Sequence, residues 1–161
     1  DLGREDTQRL LEVDLAGELW LRRALSLAAR ASFRQLETDA RPAPLDELYR
    51  FGGATTLRGY REDQFRGETA AWGGVEVRLG RPLRARVYTF LDVGYFERSR
   101  REETVADGAE APVTTTSDTR VGFGLGLLTG AAAGRLNLAV GFPGDVDFAT
   151  AKLHVSLLGS F

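Results

Sequence analysis

The chain has 161 residues, enough for one domain, with 21 Lys and Arg against 23 Asp and Glu and a formal net charge of −2. Basic and acidic residues are interspersed, so there is no basic face for nucleic acid, and the absence of Cys together with a single His excludes a disulfide framework, a thiol nucleophile and a metal cluster of His or thiolate ligands. No run of about 18 apolar residues occurs, and DLGREDTQRL lacks the basic start and apolar stretch of a signal peptide. A transmembrane β-barrel passes this test unseen, because its strands alternate and read as mildly polar.

Period two runs through most of the chain. Leu11, Val13, Leu15, Gly17, Leu19 and Leu21 alternate with Glu12, Asp14, Glu18 and Trp20, which predicts an amphipathic strand. Next, Leu25, Leu27, Ala29, Ala31 and Phe33 alternate with Ser26, Arg30, Ser32 and Arg34. After a long polar stretch, Ala71, Val75, Val77 and Leu79 oppose Trp72, Glu76 and Arg78, and then Val87, Leu91, Val93 and Tyr95 oppose Arg86, Tyr88 and Asp92. Val121, Phe123, Leu125 and Leu127 face away from Arg120, Gly122, Gly124 and Gly126. Leu136, Leu138, Val140 and Phe142 face away from Arg135, Asn137, Ala139 and Gly141. A terminal strand over 151–161 sets Leu153, Val155, Leu157 and Phe161 against Lys152, His154, Ser156 and Ser160. The expected fold is all-β, an antiparallel meander of about seven strands in a single domain over 1–161.

The connections alternate in length. They are short at Arg22-Arg23, long over 38–67, short at GRPLR, long and flexible over 99–117, short at GAAAG and medium at PGDVDFAT. Alternate connections of a meander lie at the same end, so tight turns collect at one end and long loops at the other, as in outer-membrane barrels. A soluble lipocalin-like protein would show the same alternation with its aliphatic face turned inward. Glycines at Gly122, Gly124 and Gly126 on the polar face suit a wet lumen better than a soluble core.

The long connection contains FGGATTLRGY. Gly52-Gly53 followed by Leu57, Arg58, Gly59 and Tyr60 resembles the sixth extracellular loop of the outer-membrane assembly and translocation superfamily of BamA, TamA and FhaC, whose hallmark is an aliphatic residue before Arg-Gly-Tyr or Arg-Gly-Phe. Two distant features strengthen the resemblance. GGVEVRL supplies an inward carboxylate, Glu76, on the strand after the loop, and FLDVG supplies Phe90, Asp92 and Gly94 of a Phe-x-Asp-x-Gly motif on the next. Five strands follow the loop, and the alternating end on Phe161 resembles the C-terminal targeting signal of such barrels, formed here by Leu153, Val155, Leu157 and Phe161; an ordinary edge strand is the other reading.

The resemblance implies a loop that folds back into the barrel, with Arg58 engaging Glu76 and Asp92. Strand parity independently turns both acids to one face, where Arg78, Arg86 and Arg120 are rival partners. It also implies a non-enzymatic protein of the outer membrane, without cofactor or metal. Its partners would be membrane lipids, unfolded outer-membrane or secreted polypeptides and subunits of an assembly machinery. Seven strands are too few for a sixteen-stranded relative, so the expectation is the C-terminal part of a barrel, a subunit or a shortened relative. A passive pore, or a barrel anchoring a secreted domain, is the competing function. GFGLG at 122–126 imitates a dinucleotide fingerprint but lies within a strand. His154 projects to the lumen beside Lys152 with no catalytic partner in sight.

Overall fold

The computed structural model describes residues 8–38, 42–81, 85–101, 112–131 and 134–158. Among the described residues there are nine strands: β1 (Gln8–Arg22), β2 (Leu25–Thr38), β3 (Tyr49–Phe51), β4 (Phe65–Gly67), β5 (Thr69–Gly80), β6 (Ala85–Arg101), β7 (Val113–Ala131), β8 (Gly134–Pro143) and β9 (Lys152–Leu158). Seven form one sheet in the order β1-β2-β5-β6-β7-β8-β9, every neighbouring pair antiparallel, and no helix occurs among the described residues.

The meander follows from the period-two pattern, but its connections differ from the sequence reading in two places. The 38–67 connection carries β3 and β4, which pair with each other as Tyr49↔Gly67, Arg50↔Arg66 and Phe51↔Phe65. Three-residue strands are too short to show a period, so the sequence reads as loop. Over 99–117 the strands run further than expected, since β6 continues to Arg101 and β7 begins at Val113. Phe161, the expected end of a targeting signal, lies outside the described residues.

The outward face is the aliphatic one. Leu125, Leu153 and Leu157 are each more than three-fifths exposed, and Val75, Val77, Leu91 and Val93 line the same face. Their partners in alternation are covered: along β6, Arg86, Tyr88, Phe90, Asp92 and Gly94 are buried while Val87, Thr89, Leu91 and Val93 are exposed. A soluble barrel requires the reverse, because burying aliphatic surface is what drives its folding. An uncovered aliphatic band of this extent marks a surface built for an apolar medium.

The buried residues sit between the polar face and the connection folded across it. Phe51, Leu57, Phe65 and Ala70 form one cluster, with Tyr49, Tyr60, Trp72 and Phe96 packed around it. The Phe51 ring stacks on Trp72 at 5.5 Å, and Phe65 contacts Phe51, Phe96 and Tyr60 at 5.3, 5.4 and 5.0 Å. Offset and edge contacts of this kind exceed simple area burial by about 0.5–1.5 kcal/mol per pair. The aromatic cluster therefore fixes the connection on the sheet and aims its tip.

Candidate functional site

Register decides which side chains meet at that tip. Arg30 of β2, Gly74 of β5, Asp92 of β6 and Gly122 of β7 lie in one row across the sheet. The adjacent row on the same face runs Ala28, Glu76, Phe90 and Gly124. Adjacent strands lie about 4.8 Å apart, so a long side chain can cross a strand only where that strand presents no side chain of its own. Gly74 provides such a gap, since a Cβ there would overlap the Asp92 carboxylate.

The Asp92 carboxylate leans into this gap, and Arg58 descends onto it from the loop. Its Nε donates to Asp92 Oδ2 and its Nη2 to Asp92 Oδ1, both at 2.7 Å, so the guanidinium and carboxylate meet fork to fork. The Arg58 backbone N–H also donates to Asp92 Oδ2, at 3.1 Å. Nη1 donates to Glu76 Oε1 at 2.5 Å. The group is closed to solvent, with Arg58 2 % exposed and the Asp92 side chain 0 %. The guanidinium lies 3.7 Å from the Phe90 ring centroid and 5.6 Å from that of Tyr88, so the rings face the cation as well as seal it. Burial opposes the Arg58 charge, but the hydrogen bonds and negative charges of Asp92 and Glu76 outweigh it and hold the guanidinium above its ordinary range.

The rival arginines find places beside Arg58. Arg78 donates to the second oxygen of Glu76 and to Glu18 Oε2, at 2.7 and 3.1 Å. Arg86 donates to Glu18 Oε1 at 2.6 Å and lies over Trp20, and Ser26 Oγ donates to the same Glu18 oxygen. Arg120 goes to Asp118 on its own strand. A continuous ion chain thus runs Asp92, Arg58, Glu76, Arg78, Glu18, Arg86, spanning the loop, β5, β1 and β6.

Arg30 is the member that sequence reasoning passed over. It donates to the backbone carbonyls of Thr55 and Thr56 and, at 3.3 Å, to Asp92 Oδ2, which ties β2 to the loop and to β6. His154, dismissed for want of a side-chain partner, accepts the Gly59 backbone N–H at Nε2, 3.0 Å away, and is buried. The available signal was parity alone, which puts Arg30, Asp92 and His154 on the polar face without saying that a loop backbone would come down to them.

The remaining motif residues shape the seat. Gly59 has φ +96°, and a Cβ there would meet the Phe142 backbone. Gly122 leaves space for the Arg58 carbonyl and Gly141 for Gly59, so the tip rests directly on the backbones of β7 and β8. Gly94 makes room for Phe51 and Leu57. Gly53 N–H donates to the Leu57 carbonyl at 3.0 Å and Gly52 N–H to Thr56 Oγ1 at 2.7 Å, closing the tip on itself. Tyr60 donates its hydroxyl to the Val121 carbonyl at 3.0 Å. Leu153, Val155 and Leu157 lie apart, exposed on the aliphatic face. Among the described residues no group of three or more His, Cys, Asp or Glu could hold a metal ion.

A sequence profile described as the Omp85 superfamily domain matches residues 17–149, most of the chain. The chain belongs to the Omp85 superfamily. Members of this superfamily are outer-membrane β-barrel proteins concerned with protein insertion or translocation. The matched span takes in the tip and both acids, and runs from Gly17 on β1 to Ala149 just before β9. No curated protein matches the chain.

Proposed function

We propose that this Omp85 chain is part of a BamA/TamA-type barrel that assists insertion of outer-membrane proteins or translocation of polypeptide, with its loop tip locked in the lumen by Arg58. The observation that carries the reading is the Arg58 fork on Asp92, extended to Glu76 on the neighbouring strand. Two carboxylates on adjacent strands repel each other, and a cation delivered from a loop converts that repulsion into a clamp. A passive pore or an anchor for a secreted domain has no need of a loop clamped across its interior.

On this reading the aliphatic band contacts outer-membrane lipid, and the clients are unfolded polypeptides that pair with exposed strand edges. β9 supplies such an edge, since β8 is its one neighbour among the described residues. Main-chain hydrogen bonds to an open edge accept many sequences, which suits a machine handling varied clients. The chemistry is non-covalent throughout.

The test is client assembly in cells or vesicles carrying the full-length protein with Arg58→Ala or, as a control in the same loop, Arg66→Ala. The Arg58 variant is expected to lose most of its assembly activity and the Arg66 variant little. Equal losses would remove the special role of Arg58.

A further inference from the structure

We propose that His154 is a positioning residue that latches the loop tip to the last strand, and that protonation of its imidazole opens the latch. The proposal rests on the reading of the loop as a clamped element and adds what couples that clamp to β9.

The geometry is specific. Among the described residues β9 runs Lys152–Leu158 at the edge of the large sheet, and His154 lies on it opposite Ala139 of β8. Ala139 is buried and packs with Tyr88 and Phe90, the rings that cover Arg58. Gly59, next to Arg58, donates its backbone N–H to His154 Nε2 across a sequence separation of 95 residues. Arg58 is held by β5 and β6 while Gly59 is held by β9, so two neighbouring loop residues bridge the sheet from its centre to its edge. Moving the tip therefore breaks a bond to the edge strand, and moving the edge strand pulls on the tip.

Imidazole can accept at Nε2 only while that nitrogen carries no proton. Once protonated, both ring nitrogens are donors, and an N–H would face the Gly59 N–H. The buried Gly59 donor then loses its acceptor, a desolvated group left unpaired. The charged groups acting on His154 are Glu62 and Arg58 of the loop, Asp92 of β6 and Lys152 of its own strand. Asp92 is already engaged by Arg58 and Arg30, and Glu62 accepts the Ala54 N–H, so neither acid stands ready to take over the imidazolium. Arg58 and Lys152 add repulsion. The contact is therefore one that acid turns from a bond into a conflict.

The chain has no cysteine, so spin labels can be placed at will. Thr55 and Val155 are both exposed, one on the loop and one beside His154 on the aliphatic face. In the full-length protein in lipid nanodiscs, the Thr55→Cys/Val155→Cys distance distribution is measured by pulsed electron paramagnetic resonance from pH 8 to pH 5. The wild-type background is expected to give one distance at pH 8 and a longer population at least roughly fivefold larger at pH 5. His154→Gln, which keeps an acceptor but does not titrate, should hold one distribution across the range. His154→Leu should show the longer population at every pH. A wild-type distribution unchanged between pH 8 and 5 would overturn the proposal, and so would a His154→Gln protein that keeps the wild-type response. The titration of wild type and His154→Gln decides the matter even where His154→Leu does not fold. No client is present in the measurement, so its failure leaves the assembly reading standing, and a failed assembly assay leaves the latch measured.

Discussion

Asp92 binds Arg58 twice over, taking the guanidinium through a two-pronged contact at 2.7 Å and the backbone N–H of the same residue at 3.1 Å. One carboxylate thus sets both the side-chain direction and the main-chain position of the loop tip. Removing either partner leaves the other buried and charged. That loss is on the order of 3 to 5 kcal/mol for a water-free pair. Arg58→Ala and Asp92→Asn are each expected to lower the denaturant midpoint of the folded barrel in detergent. Glu76→Gln should lower it less, because Glu76 is 13 % exposed and retains Arg78. Arg58→Lys should fall between, as an ammonium cannot reproduce the fork.

The ion chain also contains a contact of the opposite character. Arg78 and Glu18 are about a quarter exposed and meet at 3.1 Å. Their coupling in a double-mutant cycle is expected at about 0.2–1 kcal/mol, shrinking as salt is raised from 0.05 to 0.5 M on the order of the usual screening range. The Arg58–Asp92 cycle should give several times more and change little with salt. Equal coupling and equal salt sensitivity would mean that the site is wet throughout.

Gly122→Ala should unseat the tip, because the new Cβ would overlap the Arg58 carbonyl, and the obstacle is backbone on both sides. Gly17→Ala makes the matching control, being a strand glycine with nothing within 4 Å of an added Cβ. Limited trypsin digestion at pH 8 reads the difference. Cleavage after Arg58 or Arg61 should be fast in the Gly122 variant and slow in the Gly17 variant and the wild type.

The aliphatic band gives a test of the medium. Leu125→Arg and Leu153→Arg place a charge where the leucines are 67 % and 69 % exposed. In water such changes are nearly neutral, whereas facing the middle of a bilayer they cost about 2–4 kcal/mol. Insertion yield into lipid vesicles is expected to fall for both, while Asp46→Arg, at an exposed position of the connection, should insert as well as wild type.

Much of this was legible from period two alone. The parity of β6 puts Arg86, Tyr88, Phe90, Asp92 and Gly94 on one face, and the structure buries all five. Parity does not say what lies opposite across the sheet, which is why Arg30 was missed: its meeting with Asp92 depends on register and on the empty position at Gly74. His154 was missed for another reason. Its partner is a backbone N–H, and main-chain groups carry no mark in the sequence. The short β3 and β4 strands were hidden because three residues cannot show a period, although their aromatic residues, Tyr49, Phe51 and Phe65, anchor the whole connection. The glycines of β7 were placed on the correct face, but their purpose became clear only with the carbonyl and rings they accommodate.

The seat beneath the loop grips mostly main chain. Arg30 takes the carbonyls of Thr55 and Thr56, Asp92 and His154 take the N–H groups of Arg58 and Gly59, and the flat backbones at Gly122 and Gly141 receive the tip. Arg58 alone is recognised there by its side-chain charge. The barrel wall is in effect a mould for one chain trace, with a few lettered positions and one charged one. A transplanted tip would have to keep that trace, the arginine, the glycine at 59 that passes the Phe142 backbone and the buried leucine at 57, while exposed positions such as Thr55 are left open.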